Sequence, residues 1–490
     1  MLSLVLIVVI VANVVLWSYQ MNQLDWEKMR EDINIVDIRD TWSCNPSGYN
    51  LLGSTQYVSG QLSDLPSDNK VYMTFRSYAS AYTFGTIGFD AASSTIQMTP
   101  ASLISWGHTT GTGNNRLLLV AVGVHVATGT PTTVASVTYD GVSLTQATTA
   151  LYSATDPQVR TYVFRLVNPS SGTKTVQVNF AAATLSVAGA VTYNGVNQTE
   201  PIQTSNTATG SGTVPSVSVT VTGSNKWVFG HLGGHRTASP TAWTITEGAG
   251  QTQRWAQTGE LYKCVGSDKE NVPEGSNSMS WALSRAASFV ATTIVINPSL
   301  VPTEYTMEVE FSGTSNTYSW AQLDWTVDSA WTIDSVTVTL QLYNYTLNDY
   351  PTSGNGYIAY TSSDIPNTDE TKNQTITIPT DFRNATGHWR MRVKGIKATN
   401  TQFDFKVDWV EFKAVIEGTL FTFKNDGPIT SRLVSLWVIN STLHQRYYID
   451  AIINPGETLP YLRVDVNLPS GQWMVKVVTE RGNIATLSGE

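Results

Sequence analysis

The chain has 490 residues, 14% of them charged, and a net charge of -9. That length allows three or more domains, and the acidic balance excludes a nucleic-acid binder, which needs a basic stripe. Two cysteines, Cys44 and Cys264, exclude a disulfide-dense scaffold, and the absence of Cys-x-x-Cys excludes zinc or haem sites of that type.

The chain opens with MLSLVLIVVIVANVVLWSYQ. No Lys or Arg precedes the apolar run and no small-x-small site follows it, so a cleaved secretion signal is a poor match. The run is near the ~17–25 residues of a membrane span, and Trp17 and Tyr19 sit where an interfacial aromatic belt would. No Gly or Pro interrupts residues 1–38. One helix is therefore predicted to about Ile35, roughly 50 Å long at ~1.5 Å per residue. Its first half is apolar on every side. Its second half is amphipathic, and is expected to lie on its own globular domain or on neighbouring helices. Leu2, Leu4, Leu6, Val9, Asn13, Leu16 and Trp17 form the candidate self-association surface. Asn13 fits a helix bundle, where it can hydrogen-bond a neighbour, better than lipid, where its amide is costly.

This segment resembles the N-terminal helix of archaeal type IV pilin-like (archaellin-like) proteins. The resemblance implies a leader removed just before the apolar stretch and helices bundled into a filament core. Val5 departs from the acidic residue that many bacterial pilins carry at that position.

After a linker at 39–50, the chain reads as mainly β. Residues 51–80 hold two strands, around Tyr57 and around Val71 to Phe75, too few to stand alone. Residues 98–298 alternate continuously, with RLLLVAVGVHV (116–126) apolar on both faces, as a strand covered on both sides requires. Asp140-Gly141 marks a hairpin turn. GNNRLLLVAVGV, SVTYDGVSL, AVTYNGVNQTEPI and ATTIVINP resemble a β-sandwich module of large secreted surface proteins. Residues 303–415 carry six further strands, the last with Phe403, Phe405, Val407 and Trp409 on one face, and resemble a jelly roll of the galactose-binding type. The segments 54–80 and 308–331 resemble a pair that archaeal surface proteins carry close together. The sandwich at 98–298 is therefore expected to be inserted into a jelly roll made of 51–95 plus 303–415. Residues 416–490, with turns at Asp426-Gly427 and Pro455-Gly456, resemble the immunoglobulin-like domains that end archaeal filament proteins.

Signals of chemistry are sparse. His231 and His235 stand four apart in HLGGH, read as a Gly-rich loop or bulge; a metal site there competes with a solvated loop. No G-x-S-x-G elbow occurs. Asp324, Asp328 and Asp334 near Trp325 and Trp331 raise a glycosidase-like carboxylate pair, against the plainer reading of strand-edge and turn residues. Trp320, Trp325 and Trp331 raise a sugar-stacking platform, although alternation turns Trp325 to the core. The jelly-roll resemblance implies a structural calcium, with Asp364, Asp369 and Glu370 in SSDIPNTDETKN as candidates. Cys44 and Cys264 either form one bridge or are two separate buried thiols. Asn197, Asn344, Asn373, Asn384 and Asn440 begin N-glycosylation sequons. No catalytic or cofactor-binding residue is assigned. The expectation is a non-enzymatic, extracellular filament subunit. It polymerises with itself through the helix after passing through a membrane, and displays β domains that adhere to glycans or other cells. The alternative is a membrane-anchored monomeric adhesin or carbohydrate-binding protein.

Overall fold

The computed structural model describes residues 2–28, 30–237, 242–377 and 379–489; in the helix, side chains are described for 8–21, 23 and 26. The fold is mainly β, with a single helix, Leu2–Lys28, among the described residues. Two compact units divide the chain: one holds residues up to Ser80 together with those from Glu304 onward, and the other is Ala81–Thr303.

The helix stops earlier than its apolar pattern suggests. Residues 33–38, expected to be helical, begin the strand Ile33–Cys44, which also replaces most of the expected linker. The period explains the change. Ile33 and Ile35 are buried while Asn34 and Val36 are exposed, a repeat of two that a helix cannot bury. The strand pairs along nearly its whole length with Asp404–Asn425, from Ile33 opposite Asn425 to Cys44 opposite Phe412.

That long ribbon organises the first unit. Around Asp404–Asn425 lie Trp320–Trp331, Met73–Arg76 and Thr458–Arg463, with Glu370–Ile376 and Gln56–Ser59 outside them. A second sheet of Gly48–Leu51, Leu300–Thr314, His388–Lys397, Thr337–Leu342 and Tyr357–Thr361 faces it. Between them Phe75, Phe311, Trp325, Trp389, Phe405 and Phe412 are buried in one core. The two early strands thus find their partner more than 300 residues later, through Arg76 opposite Asp404. The far half of the ribbon is the floor of a second core. Ile33, Ile35, Phe421 and Phe423 pack there against the sheet formed by Ser431–Ile439, His444–Ile453, Trp473–Thr479 and Ile484–Gly489. The C-terminal segment therefore shares its longest strand with the preceding sandwich rather than beginning at 416.

The second unit interrupts the first. Residues 81–95, grouped by sequence with the jelly roll, lie in this unit; Gly88–Thr110 pairs with Gly172–Asn194. The unit is more than one two-layered sandwich. Leu117–Val126 sends Leu117, Leu119 and Ala121 into one core, and Leu118, Val120, Val122 and Val124 into another. A third core lies on the far side of the sheet containing Lys226–His235, where Val228 and Leu232 meet Val217 and Met279. At the tight turn, Asp140 (φ 53°) and Gly141 (φ 79°) both adopt the left-handed conformation that a two-residue hairpin needs.

Candidate functional site

The feature without a partner inside the chain is the helix. Among its described side chains, Val8, Val9, Ile10, Val11, Val14, Val15, Leu16, Trp17, Tyr19, Met21 and Trp26 are each between 44% and 65% exposed. Successive residues turn by about 100°, so the run 8–11 alone presents apolar groups in every direction. The second half does not lie on the globular domain, contrary to the expectation from its amphipathic pattern: Trp17, Tyr19, Met21 and Trp26 all face outward. Val9, Leu16 and Trp17 are placed on this exposed rod; the side chains of Leu2, Leu4 and Leu6 lie outside the described residues. Asn13 satisfies its own amide, Nδ2 donating to the Val9 carbonyl at 2.8 Å. Among the described residues no helix is long and apolar enough to cross a membrane.

The root of the helix is held firmly. Glu31 is buried, and its carboxylate accepts hydrogen bonds from the Thr479 hydroxyl (2.7 Å), the Asn483 amide (3.0 Å) and the Arg481 guanidinium (2.9 Å). The Asp426 N–H donates to the Asp32 carbonyl at 2.8 Å. Gly427 sits so close that a Cβ there would lie 2.6 Å from the Arg30 carbonyl oxygen and 2.7 Å from the Asp32 nitrogen. The Asp-Gly pair read from sequence as a turn is thus also the seat of the helix root.

The other predicted residues disperse. Asp364 is exposed. Glu370 pairs with Lys372 at 3.3 Å and accepts the Ser363 N–H. Asp369 alone turns toward other acids: Tyr72 donates its hydroxyl to Oδ2 at 2.6 Å, and its charge acts on the buried Asp328 and Asp408. The grouping of three along one loop therefore fails, because neighbours in a loop need not face one point. Asp68, Asp328 and Asp408, scattered through the sequence, do converge.

Cys44 and Cys264 are free thiols in the cores of different units, so no bridge joins them; burial pushes both thiol pKa values up. Trp320, Trp325 and Trp331 are buried, which removes the sugar platform. Asp324 is tied to Gln322 and Thr375 and forms no catalytic pair with Asp334. His231 and His235 lie on a strand, Lys226–His235, not in a loop. They belong to a buried group in which His125 Nε2 meets Cys264 Sγ at 3.4 Å and the His125 ring stacks on Tyr262. Among the sequons, Asn344 is buried in a turn, accepting the N–H groups of Thr346 and Leu347, and offers no room for a glycan. Asn373 is exposed on an edge strand. Asn197, Asn384 and Asn440 are half-buried at turns, their Oδ1 accepting backbone N–H groups.

No protein-family model and no curated protein matches the chain. Among solved structures, it is similar in part to a GH2 beta-galacturonidase from Eisenbergiella tayi bound to galacturonate (6% identity, TM-score 0.13, 38% of this chain and 35% of that one). It is also similar in part to the glycoside hydrolase domain of Endo-D from Streptococcus pneumoniae R6 (8% identity, TM-score 0.14, 40% and 34%). The native conformation of E. coli alpha-2-macroglobulin overlaps more of this chain, 84%, but 30% of its own, at TM-score 0.11 and 9% identity. The chain spans about a third of each, and a likeness at this level carries no conclusion about activity.

Proposed function

We propose that the chain is a subunit of an extracellular filament of the archaeal type IV pilin-like kind. Its N-terminal helices bundle as the core. Its jelly-roll, sandwich and immunoglobulin-like domains form an outer, adhesive coat. The observation that carries this reading is the helix exposed on all sides, from Val8 to Trp17. A single groove on one partner covers one stripe of a helix. A rod apolar all round needs several neighbours, which identical rods provide. The clamp on Glu31 fits the same role, since it fixes the rod to the folded body. The subunit waits in a membrane before assembly, and no catalysis is assigned to it.

Electron microscopy of the assembled protein tests this: helical filaments are expected from the wild type. Val11→Asp, which places a charge in the packed core, is expected to abolish them while the circular dichroism of the β units stays unchanged. Monodisperse wild-type monomer after detergent removal would overturn the polymer and leave a membrane-anchored adhesin. That second reading draws on an open groove of about 450 Å³ lined by Gln203, Asn206, Ser218, Thr220, Thr222 and Ser276, whose hydroxyls and amides suit a polar ligand such as a glycan. A glycan array blank at high protein concentration would remove it.

A further inference from the structure

The strand Asp404–Asn425 changes phase in its middle. Phe403, Phe405 and Val407 face the core, and so do Val410, Phe412 and Ala414. The slip falls at Asp408. On the neighbouring strand Asp328 pairs with Trp409 and Ser329 with Val407, leaving Asp408 as the extra residue of a β-bulge. Bulges re-aim side chains, and here the result is a wholly buried carboxylate beside a second one, Asp328, only 2% exposed. The loop through 65–70 crosses the bulge. The Val410 N–H donates to the Leu65 carbonyl at 3.1 Å, and the Lys70 N–H to Asp408 Oδ2 at 2.8 Å. The same loop brings Asp68, so that carboxylate oxygens of Asp68, Asp328 and Asp408 lie within 4.8 Å of one another.

Two buried carboxylates this close are costly without a counter-charge. The charges acting on Asp328 and Asp408 are all further carboxylates, Asp369 and Asp68 among them. Each acid has one oxygen engaged: Asp328 Oδ2 accepts from the Thr371 hydroxyl at 2.9 Å, and Asp408 Oδ2 from Lys70. The other oxygens, Asp328 Oδ1 and Asp408 Oδ1, are buried with no donor, as is Asp369 Oδ1. Buried polar atoms are as a rule satisfied. Three orphaned oxygens in one acidic cluster call for a cation. All the donors are hard oxygens, which suit calcium or magnesium rather than softer metals. Calcium binds oxygen at roughly 2.3–2.6 Å, so ligands on opposite sides of one ion stand about 4.6–5.2 Å apart. Magnesium, at about 2.0–2.1 Å with near-ideal octahedral demands, needs a tighter cage.

We propose that Asp68, Asp328 and Asp408 bind a calcium ion, with Asp369 adding charge at its edge. The ion pins the loop that precedes the inserted unit to strands that follow it.

Thermal unfolding of the full chain in detergent, with chelator or with 2 mM calcium, provides the test. Calcium is expected to raise the Tm of the wild type by about 3 °C or more. The double variant Asp328→Asn/Asp408→Asn is expected to melt higher than wild type in chelator, because the like charges are gone, and not to respond to calcium. Asp68→Ala, at an exposed position that leaves the core intact, is expected to weaken calcium at least about tenfold in a calorimetric titration. No response of the wild type to calcium overturns the site. So does an unchanged response in the double variant, or an equal response to magnesium. A Tm in chelator that rises from pH 7 to pH 5 and ignores calcium would show that a shared proton, not an ion, neutralises the pair.

Discussion

Burial holds four histidines of the inserted unit in the neutral form. His231, His235 and His108 are driven down to about 4 by burial, and His125 is lowered further, by burial and then by the nearby histidines. Unfolded, each would titrate near 6.5. As pH falls from about 6.5 toward about 4, the unfolded chain takes up protons that the folded chain refuses. The stability is therefore complete above 6.5 and is lost on acidification. Each histidine removes about 1.4 kcal/mol per pH unit inside that window. Urea unfolding of this unit at pH 7, 6, 5 and 4.5 should show a steadily falling midpoint; a flat midpoint would mean the imidazoles are solvated. At this scale the sequence is only half readable. The apolar beat that changes parity between Val407 and Val410 is visible in FDFKVDWVEFKAVI and marks a bulge, yet a strict alternation through Trp409 hides it. That Asp408 meets Asp328 and Asp68 is invisible, because the three lie in segments brought together only by sheet pairing.

The segment from Arg30 to Asp37 turns a rod into a ribbon. The apolar rod was legible from its composition. Its end was not, since no Gly or Pro marks it. The alternation of Ile33 and Ile35 was a signal, but it becomes decisive only with Asp404–Asn425 as a partner, far away in the chain. The clamp on Glu31 makes the junction stiff. Glu31→Ala leaves the Arg481 guanidinium and the Thr479 hydroxyl without their shared acceptor, and is expected to cost about 3 kcal/mol. Chemical denaturation followed by Trp437 and Trp473 fluorescence would measure it; a loss below about 1 kcal/mol would show that the carboxylate is solvated instead. Gly427→Ala is expected to destabilise the same region by about 1–3 kcal/mol, because the atoms in its way are backbone atoms of 30 and 32 that cannot rotate aside. An unchanged midpoint would show that the root moves freely.

Across the whole molecule, the long interruption between residues 80 and 304 leaves its entry and exit side by side. Tyr78–Phe84 pairs with Leu300–Thr314, and the Ser80 hydroxyl donates to Glu304 at 2.9 Å. Insertions at such doorways are tolerated because the host closes without them. Replacing 85–299 by a short Gly/Ser link should leave the first unit folded, with a single cooperative melt and β-type circular dichroism; a chain that aggregates or stays unfolded would show that the host depends on its guest. The β content and the two-sided burial of Leu117–Val126 were readable from its unbroken apolar run. The stacking of three cores in that unit was not, since each core draws on residues from strands whose order in space differs from their order in the chain.

The antiparallel ribbon of Ile33–Cys44 on Asp404–Asn425 also decides how the chain carries mechanical load. Tension on the N-terminal rod is applied along the strand axis, so the rungs from Ile33–Asn425 to Cys44–Phe412 are sheared together instead of being unzipped one after another. Tugging at the C-terminal end meets Ile484–Gly489, an edge strand held on one side only, which can peel. Single-molecule stretching from the two ends should therefore give unequal rupture forces, with the greater resistance on the side of the rod.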